Sequence, residues 1–223
     1  SLRPIGPSFG RRCCGRRQQV YTYITMDALA RLHSEILACR RCELEGLLPH
    51  PRPVAYGHMG ARVMVIGQAP GVCTMIAGRP FSGPGGKLLR GWIARAGIPL
   101  EEQDRRVYFT SLTRCYPGKA PKGKGDRKPS AREVELCSPF LQREIELIDP
   151  VLVLLVGSMA IERFLGRMPL AEAVGQLFSR DGRWWLPLPH PSGVSRWLNH
   201  PEHRALVEEA LERMRELLSS LGL

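Results

Sequence analysis

Four of the seven cysteines are spaced to act together. Cys39 and Cys42 make a Cys-x-x-Cys pair at the end of a helical pattern, Cys115 stands just past a strand-like run, and Cys137 lies near the start of another helical pattern. Intervals of 72 and 21 residues separate the pair from the two singles. Four thiolates can close a tetrahedral zinc site or hold a 4Fe-4S cluster, and the spacing alone leaves both open. Cys73 falls in a glycine-rich loop and is not needed as a ligand; the adjacent Cys13 and Cys14 are assigned no role.

A second chemical signal is the stretch 62–87, RVMVIGQAPGVCTMIAGRPFSGPGGK. Arg62–Ile66 is a short apolar run that stops at Gly67, the pattern of a strand buried on both faces. Gly67, Ala69, Pro70 and Gly71 then form a turn whose small residues let main-chain N–H groups approach a ligand. Phe81 follows in Gly-Arg-Pro-Phe, a ring held near the same strand end. Ligands of parallel sheets bind at the carboxyl ends of the strands, so chemistry is expected here. The bland alternative is a strand-to-loop turn with no ligand. His190 stands at the end of the last strand-like run, inside Pro-His-Pro-Ser-Gly.

These residues need a scaffold, and the hydrophobic periodicity supplies one. A helix begins at Met26 with Leu29, Leu32, Ile36 and Leu37 on one face. A helix over about 85–96 follows the glycine loop, and Val107–Leu112 reads as a strand. Ser130 and Glu133 form a capping box for a helix running to Ile148. Val151–Val156 and Trp184–Leu188 are further strands, a short helix from Gly157-Ser158 lies between them, and an amphipathic helix over about 202–221 closes the chain. Strands alternating with helices imply a doubly wound, mostly parallel sheet in a single domain over 26–223. Residues 1–25 carry five arginines, glycine and proline without helical period, and read as an N-terminal arm or a non-native leader.

Composition narrows the partners. The chain has 223 residues, 43% hydrophobic, with a net charge of +11 and a pI near 9.8. Much of the positive charge is arginine, which forks onto phosphates, so a nucleic-acid partner is favoured over a merely solvated basic surface. The loop 117–132, PGKAPKGKGDRKPSAR, concentrates that charge. No apolar run is long enough for a membrane span and no secretory h-region is visible, so a cytoplasmic, monomeric protein is expected. Seven unevenly spaced cysteines do not suggest a secreted disulfide framework.

Taken together, GQAPG, GRPF-x-G-x-x-G-x-LL, TSLTRC, the cysteine set and HPSG resemble the uracil-DNA glycosylase superfamily. The likeness is to its iron–sulfur-bearing family 4 and the uracil-crosslinking relative, and covers roughly residues 27–220 in unbroken order. It implies a three-layer α/β/α fold with a four-stranded parallel sheet, and a 4Fe-4S cluster on Cys39, Cys42, Cys115 and Cys137. It implies removal of uracil, with other deaminated bases as an extension, from DNA after the base has flipped into a pocket. By motif, Phe81 stacks on the uracil face and His190 hydrogen-bonds uracil O2 as charge develops there. Main-chain groups around Gly67, Ala69 and Gly71 line the sugar side.

Three departures from that pattern matter. The turn carries Gln68 where family 4 usually has Glu, and an amide orients water but is no general base. Val72–Ile76 replaces the family's acidic stretch. Ser111 stands where an Asn usually reads the uracil edge. The basic loop offers a substitute: counted back from Cys137, the position of the crosslinking branch's His falls on Asp126, which could activate water, stabilise the sugar cation or trap it as an ester. The alternative is a solvated loop acid neutralised by Lys124, Arg127 and Lys128. Lys122, Lys124, Arg127, Lys128, Ser192 and Arg196 are candidate DNA contacts, and Val194 or Trp197 a wedge for the vacated stack. Two other functions share these features: a uracil-DNA binder or crosslinker without turnover, and a nucleic-acid-binding module with a vestigial pocket.

Overall fold

The computed structural model describes residues 27–122, 125–193 and 196–223. Residues 1–26, including the arm, lie outside the described residues, as do Lys124 and Val194.

Five strands make one sheet in the order β2-β1-β3-β5-β4. Strands β1 (Val63–Gly67), β2 (Val107–Ser111), β3 (Leu152–Val156) and β5 (Arg183–Leu188) are parallel, with Val63 opposite Val107 and Leu152, and Leu152 opposite Trp184. All residues of β1, β2 and β3 are buried, as continuous apolar runs demand when both faces are covered. The four parallel strands are those the sequence predicts. A fifth, β4 (Phe178–Arg180), pairs antiparallel with β5 and corrects the four-stranded expectation. It escapes the periodicity because it has three residues, none fully buried; its turn, Asp181-Gly182, has φ of 53° and 72°, as a tight hairpin requires.

Period-two alternation sends the strands' side chains into two cores. Val63, Val65, Val107, Phe109, Leu152, Leu154 and Leu186 meet α4 (Pro84–Arg95) and α9 (Pro201–Ser220) on one face. Met64, Ile66, Tyr108, Val153, Leu155 and Trp185 meet α6 (Ala131–Ile148) and α7 (Ser158–Leu165) on the other. The result is the three-layer α/β/α arrangement. Each fully buried aliphatic side chain stabilises it by about 1.5–3 kcal/mol.

Helix α1 (27–37) places Leu29, Leu32 and Ile36 inward, whereas Leu37 is 55% exposed, one position off the buried stripe. Its Leu32 and Ile36 pack on Phe140 of α6 in a small third core. The Ser130 capping box of α6 is formed in both directions, with Glu133 N–H donating to Ser130 Oγ and Ser130 N–H donating to Glu133 Oε2. Pro139 inside α6 cannot donate to the Glu135 carbonyl; the neighbouring Ser138 hydroxyl does so at 2.8 Å. Short helices α2 (Arg41–Leu44), α3 (Val72–Ala77), α5 (Gln103–Arg106) and α8 (Leu170–Ala173) are too brief to leave a period in the sequence.

Candidate active site

A cleft of about 550 Å³ opens at the carboxyl ends of the parallel strands. The turn after β1 gives it Gln68, Ala69 and Gly71; β2 gives Phe109 and Ser111; the chain after β5 gives His190 and Ser192. Phe81 and Asp126 enter from the loops that follow α3 and precede α6. The structure thus brings Gln68, Ala69, Gly71, Phe81, Ser111, Asp126 and His190 around one space, although they span most of the chain. Gly67 lies beneath this space, buried under the Phe81 ring.

Phe81 is held tightly. Its φ is 55°, a left-handed conformation that an aromatic residue rarely adopts. Two glycines make room for it. A Cβ at Gly67 would lie 2.9 Å from the ring tip, and a Cβ at Gly86 would fall on the Phe81 carbonyl. Phe109 supports the ring from behind, with centroids 5.7 Å apart and planes tilted by 53°. One face of a rigid ring is therefore available to a flat ligand.

The electrostatics of His190 follow from two neighbours. Ser192 donates its main-chain N–H to His190 Nδ1 at 3.3 Å, and the Ser192 hydroxyl lies 2.9 Å from the same nitrogen. Nδ1 is therefore an acceptor, and the neutral ring carries its proton on Nε2. Desolvation within the cleft lowers the His190 pKa, and the Asp126 charge opposes that shift in part. The ring is thus a neutral hydrogen-bond donor at neutral pH. Ser192, expected at a phosphate, serves here to orient the imidazole.

Asp126 belongs to a hairpin in the basic loop, with Lys119 bridged to Asp126 and Ala120 N–H donating to Gly125 O. The Tyr116 hydroxyl donates to Asp126 Oδ1 at 2.9 Å. The other oxygen, Oδ2, lies 3.4 Å from where a Cβ on Gly71 would stand. The hairpin therefore delivers a carboxylate to the main chain of the turn that lacks one at Gln68. Ser111 is buried at 8% exposure and donates its hydroxyl to the Thr113 carbonyl at 2.8 Å, so it retains acceptor capacity only.

Two sequence assignments are corrected. Arg127, read as a phosphate contact, is half-buried and forks onto Glu133 with contacts of 2.7 and 2.6 Å, which makes it a brace for the start of α6. Trp197, read as a wedge, lies flat against His203 with centroids 4.1 Å apart and packs on the core. Its segment, Arg196–Asn199, is a 3-10 helix anchored by Arg204, whose Nη1 donates to Leu198 O and Asn199 O. Lys122, Lys128 and Arg196 are exposed, and Lys128 also lines the cleft.

Behind β2 the cysteines meet. Cys39, Cys42, Cys115 and Cys137 line one small cavity with Pro51, Pro53 and Arg114. Burial, then neighbouring thiolate charge, pushes Cys42 up to about 11 and Cys115 up to about 12; burial also raises Cys137. Among the described residues no three such side chains are closed around a single ion position. Arg114 borders both this cavity and the cleft while only 3% exposed. Its Nη2 stands 2.9 Å from Glu144 Oε2 with no N–H aimed along the contact, and its Nε has no partner among the described residues. Glu144, 1% exposed on the cleft wall, accepts from Thr110 at 2.8 Å and Tyr108 at 3.1 Å, and burial raises its pKa.

Arg114, Glu144, Tyr116 and Tyr56 were not singled out from sequence. Glu144 carried a usable signal: a charged residue on the apolar face of α6, between Leu141 and Ile145.

Fold and cleft define an α/β protein with an open cleft at its strand ends, lined by an aromatic ring and a neutral imidazole. Residues 48–215 match the uracil DNA glycosylase superfamily, and the chain belongs to that family. It is 30% identical over 204 residues to the type-4 uracil-DNA glycosylase of Saccharolobus solfataricus, covering 87% of this chain and 88% of the relative. Similarity is comparable to the type-4 enzyme of Sulfurisphaera tokodaii, 28% over 86% of each chain, and of Pyrobaculum aerophilum, 32% over 67% of this chain and 71% of the relative.

Proposed function

We propose that the protein is a DNA-repair glycosylase that flips uracil out of DNA and hydrolyses its N-glycosidic bond. The observation that carries this reading is the meeting of Phe81, neutral His190 and Asp126 in one cleft of a chain of this family. The flipped base stacks on Phe81. As the C1′–N1 bond breaks, its electron pair passes to the base and charge gathers on O2, where His190 Nε2–H donates. The sugar becomes oxocarbenium-like. Asp126 Oδ2, oriented by the Tyr116 hydrogen bond to Oδ1, supplies the opposing charge. Water then adds at C1′ and its proton leaves to the carboxylate, while Gln68 orients that water without accepting the proton. Lys122, Lys128 and Arg196 supply phosphate contacts.

The four cysteines would hold a 4Fe-4S cluster. Arg114 supports this: its buried, partnerless Nε–H suits a polyanionic group in the adjoining cavity. A bound cluster would tie α1–α2, the end of β2 and α6 together, and no step of base removal passes through it.

Release of free uracil from labelled single- and double-stranded oligonucleotides tests the reading. An SDS-stable adduct without release would instead make Asp126 the seat of a covalent trap. Binding with neither outcome would leave a nucleic-acid-binding protein only.

A further inference from the structure

We infer that Asp104 is a positioning residue for Phe81, fastening the loop that carries the base-stacking ring from outside the cleft. The inference rests on the reading of the cleft as base-receiving. Asp104 lies on α5, just before β2, and pairs with two arginines that flank Phe81 in space. Arg79, two residues before Phe81, meets Asp104 Oδ2. Arg90, on α4, meets Oδ1 at 3.2 Å and donates its other terminal nitrogen to the Pro80 carbonyl at 3.4 Å.

The same Arg90 guanidinium sits 4.1 Å above the centre of Phe109, the ring that backs Phe81. Arg79 likewise lies 5.4 Å from the centre of Tyr56, a cleft residue whose hydroxyl reaches Asp104 at 3.5 Å. Asp104, Arg79 and Arg90 do not themselves line the cleft; Tyr56, Pro80, Phe81 and Phe109 do. A backbone in the left-handed region persists only where its surroundings hold it. Arg90 is the part of that surrounding most sensitive to Asp104. Its side chain is 15% exposed, and without the carboxylate the buried cation has no counter-charge among the described residues and turns to water, releasing Pro80. Phe109 then loses its cation, and Phe81 relaxes from 55°.

The test compares wild type with Asp104→Asn, Asp104→Glu, Phe81→Ala and the Asp104→Asn/Phe81→Ala double variant. Single-turnover excision of uracil should fall at least about 10-fold in Asp104→Asn, as a small misplacement of a reacting group does. Affinity for uracil DNA should change little and Asp104→Glu should recover most of the rate. The double variant should be no slower than Phe81→Ala, because Asp104 acts through that ring. Brief chymotrypsin digestion should cut after Phe81 in Asp104→Asn but not in wild type or Asp104→Glu, a readout independent of catalysis. Additive rate losses, or an unchanged rate with no new cut, overturn the inference while leaving the glycosylase reading intact. No uracil release by wild type, with the cut still appearing in Asp104→Asn, overturns the glycosylase reading and leaves the clasp standing.

Discussion

The main-chain N–H of Ser192 points at His190 Nδ1, 3.3 Å away, so the imidazole proton is fixed on Nε2. Protonating Nδ1 would break this bond, and the cleft already lowers the pKa from 6.5. Uracil excision should therefore stay constant from pH 8 down to about 6.5 and decline only at more acid pH, as the imidazolium forms. The stability contributed by the neutral ring has the same sign: present above the unfolded value and lost as pH falls through the depressed folded one. Single-turnover rates across this range check it, and a limb centred above pH 7 would contradict it. His190→Ala should lower the rate about 100-fold or more at every pH.

Asp126→Asn should slow excision by at least about 100-fold, with affinity for uracil DNA nearly unchanged. Because Asp126 raises the His190 pKa, the acid limb of the residual activity should move to lower pH. Tyr116→Phe, which frees Asp126 Oδ1, should cost less, on the order of 10-fold. If Gln68→Ala abolishes activity while Asp126→Asn keeps it, water is guided from the β1 turn instead.

Gly67→Ala should lower the excision rate while leaving the protein folded, since its methyl would push only the tip of the Phe81 ring. Gly86→Ala should be worse, because its methyl meets main chain; overpacking of this kind costs about 1–3 kcal/mol or more. Melting temperatures alongside rates separate the two, and equal melting losses would remove the distinction.

Removing Lys122, Lys128 or Arg196 should weaken DNA binding on all sequences and reduce its dependence on salt by about one counterion each. Arg127→Ala should behave differently. Its partner Glu133, buried at the start of α6, would lose its counter-charge and keep only the capping-box hydrogen bond from Ser130, so stability should fall and the salt slope should hold.

Cys39→Ala and Cys137→Ala should lower the iron content of anaerobically purified protein and impair folding, whereas Cys73→Ala should do neither. Iron and acid-labile sulfide assays check this, and stoichiometric zinc in place of iron would contradict it.

Much of the architecture was legible because buried parallel strands announce themselves as unbroken apolar runs: β1, β2, β3 and β5 all do so. The capping box at Ser130 fixed the start of α6 to the residue. What could not be read was pairing between distant side chains. Nothing in the local sequence distinguishes Arg127, engaged by Glu133, from Lys128, which faces solvent. Trp197 looked available because its partner His203 lies six residues on, beyond an unpredicted 3-10 turn. Asp126 was found by counting along the loop, but its approach to Gly71 depends on a hairpin whose Lys119 and Asp126 registers no periodicity encodes.

The three-residue strand β4 also bears on how copies of the protein meet one another. Four parallel strands alone would have left β5 at the margin, offering six residues of unpaired backbone as a template for another chain. The hairpin covers that margin with a shorter strand that ends in exposed Arg180, and Arg183 beside it pairs with Asp149 at 2.8 Å. A short, charged border resists edge-to-edge growth of the sheet. On this side of the molecule, resistance to aggregation is built from a turn of two residues rather than from the cores beneath it.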